Sequence, residues 1–191
     1  MVLDRQTRRM CEMITQEIVD KLVQFGCGMN DSFMLMAILM ATHSHCVKKH
    51  VGAVIVRNDR IISTGYNGAP SGFPHCDETY VDERDGGKTK LLYPNGCKRA
   101  VDNSCSLSIH AEANALMFAL RNGVNVKGSR IFVTMSPCLA CARMLFQADI
   151  TEVVYLESYA DWKGYPSDDA LKFLSDCNMK VNQHEFISDL I

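Results

Sequence analysis

No stretch of this 191-residue sequence approaches the roughly 20 consecutive apolar residues that cross a bilayer. Residues 1–23 are charged and periodic, without the continuous apolar core of an export signal. Basic runs are missing as well. The formal net charge is −2, so the positive footprint of a polynucleotide binder is absent from the composition. Internal repeats and low-complexity tracts are likewise lacking. What is there suits one domain of ordinary size, expected in the cytoplasm: 47% hydrophobic residues, enough for a core, and 22% charged.

Cysteine is the abundant exception. Nine cysteines, an odd number without an export signal, argue against a disulfide framework and for metal ligands or buried packing. Cys11, Cys27 and Cys177 lie in or beside terminal helical stretches and read as packing residues. Cys46, Cys76, Cys97, Cys105, Cys138 and Cys141 remain to be explained.

Helical spacing of Met10, Met13, Ile14, Ile18, Leu22 and Val23 predicts a helix over 4–25, stopped by Gly26 and Gly28. Asp31 or Ser32 is the expected N-cap of a second helix, 33–42. The β-branched run from His50 to Arg57, the Asn58-Asp59 turn and the run from Arg60 to Gly65 predict a hairpin. Residues 67–108 are polar and broken by Gly and Pro, an unusual length unless something functional orders them. A helix over 110–121 then leads into alternating strands (130–134, 152–156, 179–182) and helices (138–147, 167–174). That alternation predicts an α/β sandwich with a partly parallel sheet.

The chemistry concentrates in His110-Ala-Glu112 and Pro137-Cys138-Leu-Ala-Cys141. H-x-E followed by P-C-x-x-C is the signature of zinc-dependent deaminases. Cys138 and Cys141, three apart at a helix start, face the same way, and the helix dipole favours their thiolates. His110 supplies a third ligand. Three protein ligands leave one tetrahedral position open, as a catalytic zinc requires. Glu112, two residues on, diverges from His110 and is better placed to move protons than to bind metal. C-x-x-C alone also fits structural zinc or a redox pair, and H-x-E alone carries little information. Their joint occurrence, in this order and each at a helix start, points to a deaminase.

Beyond the zinc motif, the run from Cys46 to Val56, the run Gly65-Tyr66-Asn67-Gly68-Ala-Pro70 and His110-Ala-Glu-Ala-Asn114-Ala resemble the deoxycytidylate (dCMP) deaminase family, phage and bacterial members above all. The resemblance covers about residues 32–181. It implies a three-layer αβα sandwich around a mixed five-stranded sheet. Residues 1–28 would be a helical extension and residues 29–191 the catalytic domain. It implies hydrolysis of dCMP to dUMP and ammonia, feeding thymidylate synthesis, in a homo-hexamer regulated by dCTP and dTTP, with magnesium accompanying the regulatory nucleotide. Asn67 would bond the sugar, and the main chain at Ala111 and Ser136 would frame the base. Read as turn or strand backbone, the same three residues need no ligand.

A 5′-phosphate needs cationic or hydroxyl partners, for which Lys48, Lys49, His50 and Tyr159 are candidates; a solvated strand end is the plain alternative. Some relatives hold a second, structural zinc, and Cys46, His75 or Cys76, Cys97 and Cys105 resemble its ligands; free thiols are the alternative. Two departures stand out. Leu107-Ser108-Ile109 replaces a basic dipeptide often found before His-Ala-Glu, and the loop between Cys76 and Cys97 is long. Two other functions share part of the pattern. An RNA adenosine deaminase of the tRNA type would carry a basic surface and usually Met in the C-x-x-C spacer, here Leu139-Ala140. A non-enzymatic structural zinc module would have no use for Glu112.

Overall fold

The computed structural model describes residues 20, 26–91, 107–159 and 169–186. The first helix expected over 4–25 and the proposed extension 1–28 therefore lie almost wholly outside the described residues, as do Cys97 and Cys105.

The first described helix, α1 (Met29–Ala41), begins earlier than the expected 33–42. Gly28 is its N-cap, and Asp31 sits three residues inside, its Oδ2 accepting the Gly28 N–H at 2.9 Å. The acidic side chain reaches back to the cap rather than being the cap. Strands β1 (Gly52–Arg57) and β2 (Arg60–Tyr66) form the expected hairpin. Asn58 and Asp59 both take positive φ, 50° and 54°, the conformation a two-residue turn needs to match strand twist.

Residues 67–91, the first part of the polar stretch, are more ordered than their composition suggests. They contain the hairpin β3 (Thr79–Asp82) and β4 (Lys88–Leu91), joined through a short 3-10 turn at Glu83–Asp85. Alternating exposed residues on a small two-stranded ribbon leave no apolar period for sequence reading to detect. Then come α2 (Ala111–Arg121), β5 (Arg130–Met135), α3 (Leu139–Gln147), β6 (Glu152–Glu157), α4 (Asp169–Asp176) and β7 (Lys180–Gln183).

The main sheet has five strands in the order β2-β1-β5-β6-β7. β1 is antiparallel to both β2 and β5, whereas β5-β6 and β6-β7 are parallel, so the sheet is mixed as expected. One face packs on α1 through Phe33, Met34, Ala37, Ile38, Val54, Val56 and Phe132. The other carries α2, α3 and α4 over Ala53, Ile55, Ile131, Val133 and Val153. The expected three-layer α/β sandwich is the observed one. Central strands buried on both faces read as continuous apolar runs, which is why β1 and β5 were legible.

Two glycines set the spacing of these layers. A Cβ on Gly52 would collide with the α1 backbone at Ala37 and Ala41. One on Gly65 would collide with the α2 backbone at Ala111 and Ala115. Gly65 thus lets the start of α2, next to His110, lie directly against β2.

Candidate metal centre

Both ligand-bearing segments end the same way. His110 is the N-cap of α2 and Cys138 the N-cap of α3, each with extended backbone (φ −72°, ψ 155° and φ −74°, ψ 165°). The expected helices 110–121 and 138–147 therefore begin one residue later. This corrects the local argument for the two thiols. Cys138 and Cys141 converge as N-cap and N3 residues, not as neighbours on a helical face. The Cys138 Sγ accepts the Cys141 N–H at 3.5 Å, taking the place of a capping oxygen.

The Nδ1 of His110 lies 3.5 Å from the Sγ of Cys138 and 3.5 Å from that of Cys141. Among the described residues these three form the only group of metal-ligating side chains whose donor atoms all lie within 4.8 Å of one another. Two ligands on a tetrahedral zinc, nitrogen at about 2.05 Å and sulfur at about 2.3 Å, stand about 3.6 Å apart. The donor set and its spacing fit zinc with a fourth position left for another ligand.

The electrostatics agree. The Cys138 thiol falls to about 4, chiefly because the Cys141 thiol donates to it, with His110 and the Cys141 N–H assisting against burial. Cys141 is pushed up for the converse reason, as the donor of that bond, and burial adds to it. The pair readily holds one thiolate, and a metal ion bound there would displace the second proton.

Glu112, in the first turn of α2, is 3% exposed and contacts the Cys141 thiol. Burial pushes its carboxyl up to about 7, partly offset by the charge of His110. A carboxyl poised near neutrality beside a metal site is suited to taking and returning a proton.

An isolated bridge between Gly68 and Ile109 seats His110 beside the exit of β2 (Ile109 N–H to Gly68 O, 2.8 Å). Asn114 Nδ2 donates to the Tyr66 carbonyl at 2.7 Å and ties α2 to the same exit. Asn67 is 8% exposed and works mainly as backbone. Its Oδ1 accepts the Val51 N–H at 2.8 Å and its Nδ2 donates to the Lys49 carbonyl at 2.8 Å, leaving one amide hydrogen and one lone pair. Ser44 Oγ donates to the Asn67 carbonyl at 2.8 Å.

Ala111, fully buried, is the first residue of α2. Ser136 is 2% exposed; its N–H donates to the Glu157 carbonyl at 2.7 Å and its Oγ accepts the Tyr159 N–H at 2.9 Å. Lys49 is paired, its Nζ lying 2.9 Å from Glu157 Oε2. Lys48 is exposed and His50 is 6% exposed. Glu157 and Ser44 were missed by sequence reading. Their partners are 108 and 23 residues away, so no local pattern marks them.

Of the second ligand set, Cys46 and Cys76 are buried against each other, and His75 stacks on His45 with ring centroids 4.3 Å apart. His45 also contacts Asp77 at 2.8 Å. Cys97 and Cys105 lie outside the described residues.

Residues 29–157 match the family described as the cytidine and deoxycytidylate deaminase zinc-binding region. The deoxycytidylate deaminase of Enterobacteria phage T2 is 37% identical over 145 residues, 65% of this chain and 77% of that one. That of Mycobacterium phage D29 is 35% identical over 127 residues, 66% and 92% of the two chains. Among solved structures, the dCMP deaminase of cyanophage S-TIM5 in complex with dCMP and dUMP superposes with a TM-score of 0.62 at 29% identity. It covers 81% of this chain and 95% of its own.

Proposed function

The chain belongs to the cytidine and deoxycytidylate deaminase family, and from that premise we propose that it hydrolyses dCMP to dUMP and ammonia. The observation that carries this reading is the convergence of His110, Cys138 and Cys141 beside the buried carboxyl of Glu112. The phage relatives are deoxycytidylate deaminases, and a dCMP-bound structure of one such enzyme shares the fold.

His110, Cys138 and Cys141 would hold the zinc, which would supply a Lewis acid able to bring the pKa of a water to about 7. Glu112 takes the water's proton on its carboxylate. It gives that proton to the ring nitrogen as the water oxygen adds to the amine-bearing carbon, then takes the remaining hydroxyl proton and passes it to the amine, so that the carbon–nitrogen bond breaks, ammonia leaves and a carbonyl remains. Burial of Glu112 keeps bulk water from competing for the proton.

Asn67, Ala111, Ser136 and Tyr159 are the proposed nucleotide contacts, supported by their grouping around the exits of β2 and β5 and the start of α2. A homo-oligomer belongs to the same proposal, supported by Met117, Phe118 and Leu120 standing exposed on α2. Among the described residues no helix is long and apolar enough to cross a membrane.

Ammonia release measured against dCMP, dCTP, deoxycytidine, cytidylate and guanine tests the assignment. The highest kcat/KM is expected with dCMP. A higher value with guanine, or with the ribonucleotide, overturns it.

A further inference from the structure

Lys49 and Glu157 stand on opposite sides of the strand that delivers the cysteine ligands. In the sheet, β1 and β6 flank β5. Glu157 is the register partner of Met135, the last residue of β5. On the other side Ala53 pairs with Val133, and carrying that antiparallel register two residues further sets Val51 beside Met135. Val51 and Met135 both belong to the core face shared with α2 and α3. Lys49 lies two residues before Val51, in the segment that enters β1.

The Lys49 ammonium reaches Glu157 Oε2 at 2.9 Å, so the ion pair links the segment entering β1 with the last residue of β6, the two strands that flank β5. Both ends are anchored. The Lys49 carbonyl accepts from Asn67 Nδ2, and the Glu157 carbonyl accepts from the Ser136 N–H. After Ser136 the chain runs through buried Pro137 to Cys138. The Lys49 side chain is 11% exposed, and an ammonium so far withdrawn from water needs its partner.

We propose that Lys49 and Glu157 form a clamp across the exit of β5 that fixes the Ser136-Pro137-Cys138 turn. They are then positioning residues for the reaction proposed above, on which this inference rests. The clamp acts through Cys138. With the pair intact, the N-cap thiolate is held at its distance from His110; with one partner removed, the turn loses the side-chain link between the segments on its two sides. The lysine is thereby assigned to the geometry of the metal site and not to a substrate phosphate.

The test uses the full chain, stripped of metal and reloaded with cobalt, whose visible ligand-field bands report the coordination geometry. A second portion carries zinc for kinetics on dCMP. Glu157→Gln and Lys49→Met are each expected to shift the cobalt bands and to lower kcat between about ten- and a hundredfold. The double variant should be little worse than either single one, because the two residues act as one unit. Exchanging the charges, Lys49→Glu with Glu157→Lys, should recover part of kcat. Glu157→Gln is isosteric and carries the test by itself if Lys49→Met does not accumulate as folded protein.

Unchanged bands and unchanged kcat in folded single variants overturn the clamp. So does a Lys49→Met variant that raises only the KM for dCMP while Glu157→Gln changes nothing, since Lys49 would then be reading the phosphate. If the wild-type protein deaminates none of the nucleotides but the cobalt bands still shift, the clamp stands and the assigned reaction fails.

Discussion

Glu112 contacts the thiol of Cys141, although Glu112 lies in the first turn of α2 and Cys141 in the first turn of α3. Two helix starts are thus brought together so that a buried carboxyl sits against a metal-ligating sulfur without itself completing the ligand set. Replacing Glu112 with Gln keeps the shape and the three donors but removes the proton carrier. Zinc content should stay at the wild-type value while kcat falls by about 10²–10⁴-fold. Metal analysis and ammonia release on the same sample check this. Near wild-type turnover in the zinc-loaded variant would remove Glu112 from the mechanism.

Substrate choice is expected to depend on the monophosphate. One charge-assisted contact contributes about 1.5–3 kcal/mol, so kcat/KM for dCMP should exceed that for deoxycytidine by at least about tenfold. Equal specificity constants would make the protein a nucleoside deaminase.

Asn67 is expected to matter for stability as well as for binding. Its amide answers the Val51 N–H and the Lys49 carbonyl, and Asn67→Ala leaves both buried groups without that partner. A loss of about 1–3 kcal/mol should appear as a lower urea midpoint, before any substrate is added. An unchanged midpoint with a raised KM would confine Asn67 to substrate contact.

Acid should weaken the fold through His184. This imidazole lies 3.1 Å from Asp31 at the start of α1, and burial pulls it below its ordinary value of 6.5, against the raising effect of Asp31. A group depressed in the folded state binds fewer protons there than in the unfolded chain. Stability should therefore fall as pH drops below about 6.5 and level off once the folded-state imidazole is also protonated. Above 6.5 it contributes no slope. Chemical denaturation at several pH values should show a shallower acid slope in His184→Gln; an identical slope would assign the effect to other groups.

The zinc count separates two readings of the remaining cysteines. Cys46 and Cys76 are in contact, and a closed second site completed by Cys97 and Cys105 predicts two zinc per chain, falling to one in Cys97→Ser. One zinc in the wild-type protein, with these thiols all reacting freely with a label, would leave them as ordinary cysteines.

The sequence by itself determined the strand-helix alternation, the Asn58-Asp59 turn and the identity of the three zinc ligands. Each is written in a local period, a turn pair or a short spacing that needs no distant partner. It placed the helix starts one residue early at His110 and Cys138, because cap residues share the polarity of the turn they close while keeping extended backbone. The hairpin Thr79–Leu91 carried no apolar alternation and went unseen.

Only the tertiary structure decided that Asn67 is engaged by the backbone of Lys49 and Val51, and that Lys49 is paired with Glu157. It also decided that Gly65 is the contact point for α2. Those relations join residues that only the register of β2, β1, β5 and β6 brings side by side. A one-residue slip in any of these pairings would turn the side chains to the other face of the sheet.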